Sequence, residues 1–503
     1  MNLKEDDKLP EGWANCMLDD LLISIQSGSR PKGGVKGITD GIPSLGGEHL
    51  TYSGGFNFSS IRYVPESFAN KMTRGNIQEE DILIVKDGAT TGKTAYVDQT
   101  FPFKKAFINE HIFLCRTSKL IDSKCLFYYL ISKQGQDEIL GNFQGSAQGG
   151  INLSFAPNTG VILPPLNEQK RIVAKLEKLL AKVNESCDRL SRIPTILKRF
   201  RQSVLASACS GRLTADWRKS HPNIEPAEEL LKRIQKERLD QAKTPAQKSK
   251  IQEIYLSEET EDNESLPESW NFVTLNKLCI SFDYGTSQKS LKEGKVPVLR
   301  MGNIQNGEID WDDLVYSCDK DEITKYNLSP NTVLFNRTNS AEKVGKTAIY
   351  RGDRPAIFAG YLIRINNCPE LDPEYLNYCL NTPYAKNYCN SVKSDGVNQS
   401  NINAQKLAKF EIPFCAIEEQ KEIVKRVKAL FRKCDLIEQR YLNAKAYTDK
   451  LTQSILAKAF RGELVPQDPN DEPAEVLLER IREEKTLTEK SSKSKKTIDR
   501  KTT

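Results

Sequence analysis

The stretch DGATTGKTA, Asp87–Ala95, sets two glycines, a lysine and a threonine in nearly the order that cradles a nucleotide phosphate. A phosphate loop reads G-x-x-x-x-G-K-[ST] and lies between a strand and a helix. Here Asp87 holds the place of the first glycine, so Gly88 to Gly92 is one residue too short. GKTA returns at Gly345–Ala348, inside NRTNSAEKVGKTAIY, with no upstream glycine where a phosphate loop needs one. Each GKTA follows a strand-like run, DILIVK (Asp81–Lys86) or TVLFNR (Thr332–Arg337). Each precedes another, TAYVD (Thr94–Asp98) or TAIY (Thr347–Tyr350). Strand, glycine turn, strand predicts a hairpin that presents a lysine, not a nucleotide site.

Other catalytic patterns are missing from the chain. There is no G-x-S-x-G, no H-E-x-x-H and no dinucleotide-binding glycine fingerprint. The paired prolines in LPPL (Leu163–Leu166) lack the preceding Asn or Asp that an amino-methyltransferase needs, and read as a strand end. Twelve cysteines include no C-x-x-C pair, and the three histidines are His49, His111 and His221. That argues against a zinc site and for reduced thiols in a cytoplasm. The sequence describes a binder and not a catalyst.

The elements that must position these residues come in two copies. LPEGW (Leu9–Trp13) returns as LPESW (Leu266–Trp270), and NEQKRIV (Asn167–Val173) as EEQKEIV (Glu418–Val424). RQSVLASACSGRL (Arg201–Leu213) returns as TQSILAKAFRGEL (Thr452–Leu464), and EPAEELLKRI (Glu225–Ile234) as EPAEVLLERI (Glu472–Ile481). With GKTA these five pairs keep their order at an offset of roughly 250 residues, a duplicated unit.

Each unit opens with a mixed stretch, residues 1–163 and 266–414. Short β-type runs such as HIFLCR and YLIRI alternate with polar glycine-rich loops, and a helical stretch follows each. The next segments, 164–213 and 415–464, differ in kind. Ile172, Leu176, Leu179, Val183, Ser186, Leu190, Ile193, Leu197, Phe200 and Val204 alternate four and three apart, with only Ser186 polar. The matched series is Ile423, Val427, Leu430, Cys434, Ile437, Tyr441, Ala444, Thr448, Leu451 and Ile455, where Thr448 alone breaks the pattern. Such a/d spacing predicts two helices of about 40 residues, roughly 60 Å long, that pair antiparallel. Asn167 is placed to cap the first, Glu168 suits its positive end, Pro194 should kink or restart it, and Gly211 and Gly462 stand where the helices end. Residues 214–265 read as a polar helical linker over the surface with a loose acidic end. Residues 465–503 read as a helix followed by a disordered basic tail.

Composition adds bounds. The 503 residues exceed one core, 38% are hydrophobic and 28% charged, and the net charge of +6 permits nucleic-acid binding without demanding it. No apolar run approaches ~20 residues, so no membrane span is expected. The opening MNLKEDDKLPEGW lacks the apolar core of a signal peptide.

LPPLNEQKRIVAKLEKLLAKV, LKRFRQSVLASACSGRLT and LTQSILAKAFRGELVPQDPNDEPAEVLLERI, beside the repeated LPE-x-W openings, resemble the DNA-specificity subunits of Type I restriction–modification systems. The resemblance covers nearly the whole chain. It implies an α+β fold: two mixed α/β target recognition domains separated by two long antiparallel coiled-coil helices, in a pseudo-twofold repeat. It implies a non-catalytic, cytoplasmic subunit that reads a split, asymmetric double-stranded DNA target. It also implies partners: two methyltransferase subunits using S-adenosylmethionine, and two restriction subunits using ATP and Mg2+, with no cofactor on this chain.

The loops then have a physical task, since Arg, Lys, Asn and Gln read base edges while Lys, Ser and backbone amides hold phosphates. In the first unit the candidates are Glu48, His49, Lys86, Lys93, Ser146 and Gln148. In the second they are Arg300, Asn303 and Gln305; Asn336, Arg337, Asn339, Lys343 and Lys346; and Lys393, Asn398 and Gln399. Two rival readings are a two-headed adaptor for RNA or protein, and a fused modification methyltransferase. The second would need the adenosylmethionine site and catalytic motif that are missing here.

Overall fold

The computed structural model describes residues 9–145, 149–256, 266–396 and 399–499. The chain divides into two compact units, Met1–Ser191 with Asn443–Thr503, and Arg192–Leu442. Each takes one mixed domain together with the start of one long helix and the end of the other.

In the first unit an antiparallel sheet runs in the order Leu22–Ser27, Ile112–Thr117, Ile82–Val85, Thr94–Tyr96. DILIVK is apolar at successive positions because its strand is covered on both faces. Ile82 and Ile84 enter the core shared with the long helices, while Leu83 and Val85 enter a second core with Leu45, Ile108 and Leu114. A three-stranded sheet joins Arg62–Val64, Ile42–Leu45 and Phe107–Ile108. The strand before LPPL, Gly160–Leu163, pairs antiparallel with Ala14–Met17.

The second unit repeats this plan. Its larger sheet orders Cys279–Tyr284, Leu362–Asn367, Thr332–Asn336 and Thr347–Tyr350, then adds Gly307–Ile309 and Ile304–Gln305. The smaller joins Val315–Ser317, Val296–Leu299 and Ile357–Phe358, and Asn271–Thr274 pairs with Glu411–Phe414. In both units the helical stretch after the sheet is two helices. Ser123–Ile131 and Lys133–Leu140 are separated by Ser132, whose hydroxyl accepts from the Gly135 amide; Pro373–Leu380 and Pro383–Val392 are separated at Thr382, which caps Ala385.

Two long helices form as the stripe predicts, Leu166–Cys209 and Ile417–Ala459. The first begins one residue before Asn167, so Asn167 lies in its first turn and is not the cap; the Pro165 carbonyl accepts from the Gln169 amide at 2.9 Å. It also continues through Pro194 without restarting. In the first unit Ile172 and Leu176 share a core with Leu456 and Ala459. In the second, Val204 and Ala208 share one with Ile423 and Val427. Start therefore packs with end in each unit, an antiparallel pairing. Arg201 reinforces it in the second unit, reaching Asp435 at 2.6 Å and Glu438 at 3.1 Å. Phe200 and Ile437 occupy stripe positions yet stay exposed.

Repeated motifs fasten each domain to its helices. Trp13 donates its indole N–H to buried Glu168 at 2.9 Å, and Trp270 donates to buried Glu419 at 2.8 Å. The neighbouring Gln169 and Gln420 accept from the amides of Asp122 and Asp372, the residues that cap the first domain helices. Gly462 and Gly211 end the helices with φ of 74° and 71°. A Cβ on either would lie 2.6 or 2.5 Å from Pro10 or Pro267 of the LPE-x-W openings, so glycine is needed twice over.

Two expectations about the connections change. Ala227–Gln241 is not a surface linker alone, because Ala227, Leu230 and Ile234 are buried in the second unit's core. Its twin buries Ala474, Leu477, Leu478 and Ile481 in the first. That twin helix runs from Ala474 to Asp499, so most of the segment read as a tail is helical, in keeping with the helix-forming Glu and Lys it contains. The acidic linker end, 257–265, lies outside the described residues.

Candidate nucleic-acid interface

Both GKTA segments form hairpin turns. Ile82–Val85 pairs antiparallel with Thr94–Tyr96, and Thr332–Asn336 with Thr347–Tyr350. Gly92 and Gly345 take φ of 85° and 88°, and a Cβ on Gly345 would meet the Cys389 sulfur at 2.6 Å. The turn amides point inward. Gly88 donates to Gly149, Thr91 to Gly88, Gly92 to Val85 and Lys93 to Thr90; in the second copy Gly345 donates to Asn336 and Lys343 to Ser340. A phosphate cradle needs such amides free and a helix behind them, and neither is present at these turns.

The lysines are held at the turn surface. The Lys93 ammonium lies 4.4 Å from the Tyr52 ring centroid. Lys346 donates to Gln305 Oε1 at 2.8 Å, and burial, with Lys343 nearby, holds its pKa below the usual lysine value. Gln305 in turn donates to the Gly302 carbonyl. Lys86 approaches Ser27 Oγ at 3.5 Å, and Glu48 pairs with Arg62 at 2.9 Å. Arg300 donates to the Asp313 carbonyl at 2.6 Å. Arg337 donates to Gly360 and to Asn401 Oδ1, each at 3.2 Å, and lies over Tyr284. The short strand Thr338–Asn339 pairs with Ser400–Asn401. That pairing brings Arg337 and Asn339 to the same edge as exposed Gln399. Lys393 reaches the Ala341 carbonyl at 3.5 Å, while Lys343 is exposed. Ser146, Gln148 and Asn398 lie outside the described residues.

Three candidates need correction. His49 is fully buried; its Nδ1 accepts from the Gly46 amide at 2.8 Å, so Nε2 carries the proton toward the Ser60 carbonyl at 3.2 Å. Asn303 has the same task in the second copy, accepting from the Arg300 amide at 2.9 Å and donating to the carbonyls of Asp310 and Asp312. Both brace a loop and leave no edge free for a base. Asn336 is fully buried at its strand end, and neither side-chain polar atom has a hydrogen-bond partner among the described residues.

The residues missed by sequence reasoning are Arg30, Arg62, Asp87, Glu110 and His111. Arg30 pairs with Glu110 at 2.5 Å, and His111 contacts Asp87 at 2.6 Å and Glu110 at 3.4 Å. They converge through strand register across about 80 residues of chain, which no local pattern signals. Among the described residues no group of three or more His, Cys, Asp or Glu could hold a metal ion, and no helix is long and apolar enough to cross a membrane.

A family model for the Type I restriction modification DNA specificity domain matches residues 10–191 and again 267–445. The chain is 29% identical to the Type I restriction enzyme EcoKI specificity subunit of Escherichia coli (strain K12), over 97% of this chain and 99% of that one. It is 30% identical to the EcoDI specificity subunit of Escherichia coli, over 74% and 79%. Its fold is similar to that of a solved chain from a study of complex assembly and conformational transition of the type I R-M system. There the TM-score is 0.65 at 17% identity, covering 91% of this chain and 99% of the other.

Proposed function

Since the chain belongs to the specificity subunits of Type I restriction–modification systems, the non-catalytic component of those enzymes, we propose that it reads a two-part, asymmetric double-stranded DNA target, one part with each mixed domain. The observation that carries this reading is the pattern of sameness and difference between the copies. The Trp–Glu clamps, the glutamines that hold the capping aspartates and the hairpin turns recur, whereas the loop-face side chains differ. A shared scaffold with unlike faces suits two unlike half-sites. The chain brings two methyltransferase subunits to the target and, for cleavage, two restriction subunits. Methyl transfer from S-adenosylmethionine and the ATP- and Mg2+-dependent steps belong to those partners.

The test is to map methylated adenines in the genome of a strain carrying the complete system. A two-part motif with a fixed gap is expected, and a continuous palindromic motif, or none, would count against the reading. The purified chain alone should neither methylate nor cleave DNA; methyl transfer by a verified-pure preparation would defeat that part.

A further inference from the structure

The first unit holds a polar pocket of about 220 Å³ lined by Arg30, Ser44, Glu48, Arg62, Asn109 and His111. Glu48 grips Arg62 through Nε at 2.9 Å, and Glu110 grips Arg30 through Nε at 2.5 Å. These are ion pairs without hydrogen-bond geometry, and neither arginine donates a hydrogen bond among the described residues, so each guanidinium is charge-paired but its donors are unspent. Gly46 makes room for the arrangement, since a Cβ there would lie 2.4 Å from Glu48 Oε2 and 2.7 Å from Asn109 Nδ2.

The second unit is a built-in control. Strand register makes Ser44 equivalent to Val298 and Arg62 to Val315. Asn109 donates its amide to Leu45 as Ala359 does to Leu299, and Lys86 donates to His111 as Arg337 does to Tyr361. Counting along these matched frames, Glu48 is equivalent to Gly302 and Glu110 to Gly360. Ser44, Glu48, Arg62, Asn109, Glu110 and His111 are therefore each replaced by a small, apolar or aromatic residue on the same backbone. The pocket is not part of the scaffold.

We propose that this pocket is a base-reading site of the first recognition domain, and that it takes a G·C pair through the major groove. Arg30 and Arg62 donate to guanine O6 and N7, Glu48 and Glu110 pair with them, and the partly exposed Glu48 can accept from cytosine N4. The charge balance separates this role from phosphate binding. Each arginine is already paired with a carboxylate, Arg62 with Glu48 and Arg30 with Glu110, so neither guanidinium offers the unopposed charge that draws a phosphate ahead of a base edge. The guanidinium fork suits the paired acceptors of guanine, and fixing it beforehand lowers the ordering cost on binding. The inference rests on the two-part DNA-reading role proposed above.

The test is selection from randomised duplex DNA by the full chain with its methyltransferase partners. Arg62→Ala and Arg30→Ala should each lose preference for G at a position in the same half-site, by about 5- to 150-fold, with the other half-site unchanged. Arg62→Lys keeps the charge and the fold but not the fork, and should lose the same preference. An unchanged motif in folded Arg62→Lys overturns the proposal. So does weakening spread evenly over all sequences with a shallower salt dependence, because that is the signature of a phosphate contact. If wild type itself enriches no two-part motif, the broader reading fails instead, and the two failures are told apart by that arm.

Discussion

Twin positions in the two copies differ in what their charges meet. Glu168 accepts from Trp13, but its other oxygen has no partner among the described residues; burial raises its pKa, against the opposing pull of Trp13 and Arg171. A raised carboxylate pKa means stability that is complete at acid pH and is lost as pH rises through the folded value. Glu168→Gln keeps an acceptor for the indole and removes that loss. The variant should melt with wild type near pH 4 and at the same or a higher temperature at neutral pH. Glu419 instead meets Trp270, Thr214 and the Arg218 guanidinium. Glu419→Gln removes the carboxylate paired with a largely buried arginine, which keeps only neutral acceptors at Gly211 and Thr214, and should cost on the order of 2–4 kcal/mol at neutral pH. Thermal melts at the two pH values check both, and equal costs at pH 7 would show that the clamps are interchangeable. Lys93→Ala and Lys346→Ala should each reduce the salt slope of DNA binding by ~1. An unchanged slope in both would remove the turn lysines from the DNA backbone. These lysines are legible in the sequence because a glycine turn must present its next residue. His49, Asn303 and Asn336 mislead in the sequence because polar type does not ensure exposure; register and loop bracing turn them inward. Arg30 and Arg62 are invisible there because only the folded register makes them neighbours of Glu110 and Glu48.

Among the elements, the long helices and hairpins are readable because a period of 3.5 and a glycine turn are local signals. The domain helices read as single stretches because their apolar runs continue across the breaks, and only the caps at Ser132 and Thr382 divide them. Ala227–Gln241 reads as a linker because few of its residues are apolar, yet those few share one face. The joint between helix end and domain shows how the copies diverge inside a shared frame. In the first unit Phe460, at a helix end, meets Tyr129 edge-on with ring centroids 5.2 Å apart. In the second the equivalent residues are Cys209 and Cys379, with sulfurs 3.5 Å apart, beside an apolar cavity of about 250 Å³ lined by Leu266, Phe272 and Phe410 among others. Phe460→Ala should therefore cost about 3–5 kcal/mol, since it empties a packed joint. Cys209→Phe should stabilise by about 0.5–2 kcal/mol, since the cavity awaits a ring. Denaturant unfolding distinguishes the two. A folded Cys209→Phe variant less stable than wild type would show that the cavity does not accept the ring that its twin joint contains.

At the scale of the molecule, the same plan is used twice, and each unit draws on both long helices. The first unit is not a continuous stretch of chain. Its core is completed by Leu456, Ala459, Phe460, Ala474, Leu477, Leu478 and Ile481 from the far end of the chain, which explains why the repeats are legible as pairs while the units are not. If the domains read two half-sites and the paired helices act as the spacer, helix length should set the gap in the target. One heptad inserted after Val183 and another after Thr448, both buried positions of the first unit's pairing, keeps the apolar stripe on the same face. Seven residues lengthen the pair by roughly 10 Å at 1.5 Å per residue. At 3.4 Å per base pair that is about three base pairs. Three base pairs also turn the far half-site by close to a third of the ~10.5-base-pair helical repeat, so the original target cannot satisfy both readers at once. Selection with varied gaps should return a target about three base pairs longer, or no specific target where the added rotation defeats docking. Each half-motif on its own should be unaltered, because the insertions touch neither reading face. Wild-type affinity for the original spacing, in a folded double-insertion variant, would show that these helices do not measure the DNA.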